Sequence, residues 1–154
     1  MKHYLSGRKY KTWQVVNPEA ANMDVIVRSA CASVVPPIAN MHADKFVRVF
    51  VNDVGRAAMM ERKTPLFPIG TIIVKEKLPE KYSQQPEFFT IMVKRESSYD
   101  KDHGDWQYLT MEADMAKLEK PAGLDNCQTC HASWKATDFV SRIYLSPEQR
   151  TNLR

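Results

Sequence analysis

One pentapeptide, Cys127-Gln128-Thr129-Cys130-His131, constrains this chain more than any other stretch. Two cysteines separated by two residues and followed at once by a histidine form the attachment signature of a c-type haem. The spacing has a chemical reason. Thiols one helical turn apart can each add to a vinyl group on the same porphyrin edge, and the next residue carries an imidazole that binds iron from one side. Cys127 and Cys130 are therefore the expected covalent anchors of one haem c per chain, and His131 its iron ligand. The remaining residues must then build a pocket for a rigid planar group.

Two other chemistries use the same residues. A zinc site could take Cys127, Cys130, His131 and a fourth ligand such as Cys31, although a second C-x-x-C or H-x-x-x-H pair is missing. A thiol–disulfide site could use Cys127 and Cys130, but no βαβ pattern surrounds them. The chain has three cysteines. The haem reading leaves Cys31 as a lone thiol packed as a small hydrophobe, with no disulfide framework.

With 154 residues, 44% of them apolar, the chain is long enough for one packed core. The expected organisation is an N-terminal arm over 1–24 and a single haem-binding domain over 25–154. The net charge of +4 comes from basic residues interleaved with acids, with no basic run. That pattern argues against nucleic acid, while a weakly positive face suits a redox partner protein. No run of about 18 apolar residues predicts a membrane span. Bacterial haem c attachment takes place outside the cytoplasm, so a periplasmic location is expected. Met1-Lys2-His3-Tyr4-Leu5 lacks the apolar core of a secretory signal, so a mature form is expected.

Taken in order, residues 1–12 read as a loosely held polar arm and 13–16 as a short strand or turn. A strand begins at Val25 and ends before Pro36-Pro37. Residues 46–51, 71–78, 88–95 and 105–111 are strands with period-two alternation. Phe46, Arg48 and Phe50 share one face of the first, and Val47, Val49 and Val51 the other. Ile72, Val74, Glu76 and Leu78 oppose Thr71, Ile73, Lys75 and Lys77. Phe89, Ile91 and Val93 oppose Phe88, Thr90, Met92 and Lys94. Trp106, Tyr108 and Thr110 share a side. Asn52 and Asp53 cap a helix over 54–62 with Val54, Ala57 and Ala58 inward. A short helix is expected over 112–120, and another, capped by Asp125 or Asn126, carries the haem motif. Residues 139–145 form a last turn or strand, and Ser146-Pro147-Glu148 starts a short helix. The fold class is α+β, an antiparallel sheet of about four to five strands with a few helices packed on one c-type haem.

The second axial position decides between electron transfer and small-molecule chemistry. The chain offers Met59, Met60, Met92, Met111, His42 and His103, and none stands out, so an open or water-filled position is expected. Arg48 is a candidate distal donor, with Phe46 and Phe50 making its face apolar and tight. The opposite assignment puts Val47, Val49 and Val51 inward and leaves Arg48 as a surface charge. Trp106 and Tyr108 either wall the haem or are core aromatics.

These ordered pieces resemble the cytochrome P-460 family, which includes the cytochromes c-prime-beta. The resemblance is carried by Phe46-Val47-Arg48-Val49-Phe50-Val51-Asn52, Gly70-Thr71-Ile72-Ile73-Val74-Lys75-Glu76, Met92-Val93-Lys94, Gly104-Asp105-Trp106-Gln107-Tyr108 and the late Cys127-to-His131 motif. It spans roughly 42–145, with order and spacing in agreement. It implies an antiparallel sheet packed on one pentacoordinate haem c, in a homodimer. It implies that Lys75 can bond covalently to the porphyrin and change its electronics; the other reading is an ordinary strand lysine facing solvent. It also implies hydroxylamine oxidation, or handling of nitric oxide. Hydroxylamine-oxidising members carry a distal carboxylate on a strand beside the lysine. The matching offset falls near Thr90, which is not a base, and the sequence departs from the pattern there. Glu76 points away from Lys75 on a regular strand and Glu96 lies past a strand end. The alternative function is a non-enzymatic gas-binding or electron-transfer cytochrome, and a structural zinc or thiol-redox domain is the reading from a different class.

Overall fold

A computed structural model of the protein describes residues 6–23, 45–114 and 117–154. The strand expected from Val25, and with it Cys31, Pro36, Pro37 and His42, lies outside the described residues. Ser6–Thr12 forms a 3-10 turn. Strands β1 (Gln14–Val15), β2 (Ala21–Asn22) and β3 (Phe46–Val51) follow, then helix α1 (Asp53–Met60). Next come β4 (Ile72–Leu78), β5 (Phe88–Lys94), β6 (Trp106–Glu112) and β7 (Leu118–Glu119). Helices α2 (Leu124–Ala132) and α3 (Pro147–Thr151) complete the chain.

Among the described residues the strands form one seven-stranded antiparallel sheet in the order β1-β3-β4-β5-β6-β7, with β2 also paired to β3. The α+β class and the antiparallel sheet are as expected. The strand count is higher because β1, β2 and β7 are two residues each, too short to show alternation.

The sheet is a middle layer. Every residue of β4 is buried except Lys75, which is half-buried. Both faces are covered, so alternation appears as two sets of core residues rather than as core against solvent. On one face Val49, Val51, Ile73, Met92, Trp106 and Tyr108 pack with Met59, Phe67, Phe139 and Val140, and with Leu124 and Cys127 of α2. On the other, Tyr10 packs with Phe50, Val74, Phe89, Ile91 and Met111. Residues 6–12 are therefore not loose. Tyr10 is 0% exposed and meets the Phe50 and Phe89 rings edge-on at 5.2 and 5.8 Å. Its aromatic area fills the far core, and geometry of this kind adds about 0.5–1.5 kcal/mol per pair.

Helix α1 starts where Asn52 predicts. The Asn52 side-chain oxygen accepts from Gly55 N–H at 3.3 Å and from Ile72 N–H at 3.0 Å, so one cap also holds the start of β4. The inward stripe is Gly55, Ala58 and Met59, so Ala58 faces inward as expected but Val54 and Ala57 do not; Val54 is 49% exposed. Gly55 sets this phase. A Cβ there would stand 2.3 Å from Thr71 Cγ2, so only glycine lets the helix lie this close to the sheet.

One further expectation is corrected and another resolved. No helix is described over 112–120; β6 runs to Glu112 and β7 pairs with it, Thr110 opposite Glu119. Its short edge pairing carries no periodic signature. Residues 139–145 take the turn of the two alternatives, entered through Asp138 and Phe139, which both have positive φ, 54° and 61°. Helix α3 forms with the capping box of Ser146 and Gln149.

Candidate haem site

Helix α2 carries the pentapeptide and is entered through Gly123 rather than through a side-chain cap from Asp125 or Asn126. Asp125 instead lies in the first turn, where its charge complements the helix dipole. Leu124, Cys127, Gln128 and His131, at helical spacing, are all half-buried. This stripe lies on the face of the sheet that bears Lys75, since Leu124 and Cys127 pack on the Val49–Ile73–Met92–Tyr108 cluster. Asp100 holds the same helix from a neighbouring loop, accepting from Gln128 Nε2 at 2.8 Å and bonding His103 Nδ1 at 2.8 Å.

His131 is oriented by one strong contact. Its Nδ1 donates to the Phe139 carbonyl at 2.7 Å. The proton on Nδ1 leaves Nε2 with a free lone pair, the tautomer that a metal-binding imidazole needs. Burial and the Lys75 cation lower its pKa to about 4, against the hydrogen bond to Phe139. The imidazole is thus neutral across the physiological range. The Tyr108 ring lies against it at 5.2 Å between centroids.

Strand register sets the neighbours. Val49, Lys75 and Thr90 are directly opposed, and Thr90 faces Thr110 in turn. Lys75 Nζ sits 5.1 Å from the centre of the Tyr144 ring. Lys77, two residues along on the same face, is 1% exposed. Burial, then the charges of Lys75 and Lys45, bring its pKa down to about 6, while Cys127 opposes the shift. The Cys127 thiol is pushed up by burial and pulled back by Lys77 and Lys75.

Phe46, Arg48 and Phe50 lie on the opposite face of the sheet from Lys75, the second of the two assignments weighed for this strand. The alternation that puts Val49 opposite Lys75 puts Arg48 opposite Glu76 on the other side. There the buried Glu76 accepts from Tyr10 Oη at 2.6 Å, with Lys11 at 3.5 Å and Arg48 at 3.7 Å. A carboxylate without these partners would be far too costly to bury, so Arg48 is committed to it. Burial, and then the bond to Glu76, raise the Tyr10 pKa. Glu96 is exposed and paired with Arg95. Neither glutamate reaches the Lys75 face. Of the axial candidates, Met111 lies in the far core, His103 is held by Asp100, and Met59, Met60 and Met92 belong to the near core.

The residues fit a c-type haem in their donor set. Two cysteine sulfurs stand one turn apart on α2, and the adjacent imidazole is neutral with Nε2 free. Beside them the buried Tyr108 hydroxyl has no hydrogen-bond partner among the described residues. Cys127 is a free thiol and Cys130 is in a disulfide, contrary to the expectation of no disulfide. A sulfur so bonded must be reduced before it can add to a vinyl group. Among the described residues no group of three or more His, Cys, Asp or Glu side chains is placed to hold a metal ion, and Cys31, the fourth ligand considered for zinc, lies outside them. Lys77 and the Lys94–Asp138 pair, described below, gave no sequence signal beyond strand alternation.

The family profile described as Cytochrome P460 matches residues 7–142. No curated protein sequence matches the chain. Among the described residues no helix is long and apolar enough to cross a membrane.

Proposed function

We propose that this chain, which belongs to the cytochrome P460 family, is a monohaem c-type cytochrome that takes a small nitrogen species, nitric oxide in preference to hydroxylamine, at the iron face opposite His131. Cys127 and Cys130 hold the haem by thioethers and His131 is its proximal ligand. Bound there, the haem supplies an iron that coordinates a small ligand and exchanges electrons. The observation that carries the reading is the His131 Nδ1 hydrogen bond to Phe139 O, at 2.7 Å, directly after two cysteines a helical turn apart. It leaves an oriented lone pair with no other assigned partner among the described residues.

The preference for ligand binding over hydroxylamine oxidation rests on the row across the sheet. Oxidation requires a base to take protons. Val49 and Thr90 flank Lys75 in that row and Thr110 lies beyond Thr90, so neither neighbour of Lys75 is a carboxylate, while Glu76 is committed to Tyr10 on the opposite face. Lys75 itself stands on the haem face, where a bond from its amine to the porphyrin edge would tune the cofactor. A homodimer, a periplasmic setting and a redox partner protein complete the proposal.

An intact mass raised by one haem after denaturation, with a pyridine haemochrome of thioether type, is the expected result. A colourless chain from a host competent in cytochrome maturation would refute the reading. Nitric oxide should shift the Soret band, and hydroxylamine with an artificial electron acceptor should give no turnover. Lys75→Arg should change the ferrous spectrum if the lysine is bonded to the ring; identical spectra would remove that bond from the proposal.

A further inference from the structure

We propose that the buried Lys94–Asp138 ion pair is the device that aims His131, acting through the carbonyl of Phe139; the inference rests on the haem reading above. Asp138 immediately precedes the residue whose carbonyl accepts the hydrogen bond from the imidazole Nδ1–H. Its carboxylate accepts from Lys94 Nζ at 2.7 and 2.8 Å and from the Phe67 N–H at 2.8 Å. Its own carbonyl accepts from Trp106 Nε1 at 2.8 Å. Lys94 also donates to the Gly104 carbonyl at 2.8 Å and lies 5.2 Å from the centre of the Trp106 ring. The Phe139 N–H is taken by Trp134 O at 2.9 Å.

This degree of tethering answers a specific conformational problem. Asp138 and Phe139 are consecutive left-handed residues, at φ 54° and 61°. For a bulky aromatic residue that region is a true outlier, and such strain persists only where the surroundings over-determine it. The Phe139 ring is seated over Gly104, where an added Cβ would lie 2.4 Å from Phe139 Cδ2. With both peptide planes fixed, the Phe139 oxygen points at His131 Nδ1. Lys94 and Trp106 are strand residues, opposed to one another across β5 and β6, whereas His131 is on a helix. The pair therefore references the ring of a helical ligand to the rigid sheet.

The chemical consequence follows from the imidazole. A firm acceptor on Nδ1–H increases electron donation from Nε2 and fixes ring rotation, and outer partners of this kind are a known lever on a metal centre. Lys94 and Asp138 are thus positioning residues. A buried ion pair alone is weak evidence for stability, and a purely structural role would leave the iron–imidazole bond untouched.

The test is Asp138→Asn in the haem-loaded full chain, with Lys94→Arg as the conservative variant. Asp138→Asn is expected to lower the ferrous iron–His131 stretching frequency in resonance Raman and to raise the midpoint potential, while Lys94→Arg stays near wild type in both. A folded, haem-loaded Asp138→Asn with the wild-type band and midpoint overturns the proposal. Where that variant does not accumulate, Trp106→Phe removes one bond to the same segment and must show the same downward shift, and an unshifted band is equally fatal. In the haem-free chain, nitrogen-15 spectra of His131 should report the Nδ1–H tautomer in wild type and a mixture in Asp138→Asn. An unchanged tautomer there refutes the clamp independently of whether haem is bound.

Discussion

Replacing Lys77 with methionine should flatten the dependence of stability on pH. Lys77 is 1% exposed and its pKa falls from 10.5 to about 6, through burial first and then the charges of Lys75 and Lys45. Folded, the side chain is neutral at pH 7; unfolded, it is charged. Unfolding therefore takes up a proton between about pH 6 and pH 10.5, and stability rises with pH across that window. Each pH unit is worth about 1.4 kcal/mol while one proton is exchanged. Over two units the wild-type chain should gain about 3 kcal/mol from this residue alone. The Lys77→Met chain keeps an unbranched apolar stem of similar reach and has no proton to exchange. Urea unfolding of both chains at pH 6.5, 7.5 and 8.5 gives the comparison directly, because contributions from groups not coupled to Lys77, such as His131, cancel in the difference. The variant should be the more stable at pH 6.5, with the gap closing as pH rises. Parallel lines for the two chains would refute the reasoning, since they would mean that Lys77 keeps its charge in the folded state.

Gly104→Ala places a side chain at φ +67° and 2.4 Å from the Phe139 ring; thermal unfolding should show a loss well above about 1 kcal/mol. Tyr10→Phe strips Glu76 of its 2.6 Å donor and should cost about 1.5–3 kcal/mol in denaturant titrations, the range for a hydrogen bond to a charged group. Tyr108→Phe removes a buried hydroxyl without a partner among the described residues, so the haem-free chain should be unchanged or more stable, by up to about 1–3 kcal/mol in the same titrations.

The long strands and their alternation were legible because each runs for six or seven residues, enough to display a period of two. The division into two faces read for each of these strands agrees with the observed register over 46–51, 72–78 and 88–94. Which face meets α2 was not legible, because both faces of β3 and β4 are apolar when a sheet is covered twice. Arg48 illustrates the difficulty. Its partner is Glu76, 28 positions later, and the pairing is visible only once β3 and β4 are in register. The Cys127-to-His131 motif was legible because its spacing is dictated by chemistry. The Phe139 carbonyl was not, since a backbone acceptor leaves no mark on residue type. The same holds for the positive φ of Phe139, which no side-chain preference announces.

Strand β4 delivers Lys75 to one side of the sheet and its neighbour Glu76 to the other. Inserting or deleting one residue within it would exchange the two. A carboxylate would then confront the sulfur-bearing helix, and an amine would be forced among Tyr10, Phe50 and Phe89. Point changes in this strand are negotiable one at a time, but its length is not, and relatives that preserve both chemistries should vary in composition there while never varying in spacing.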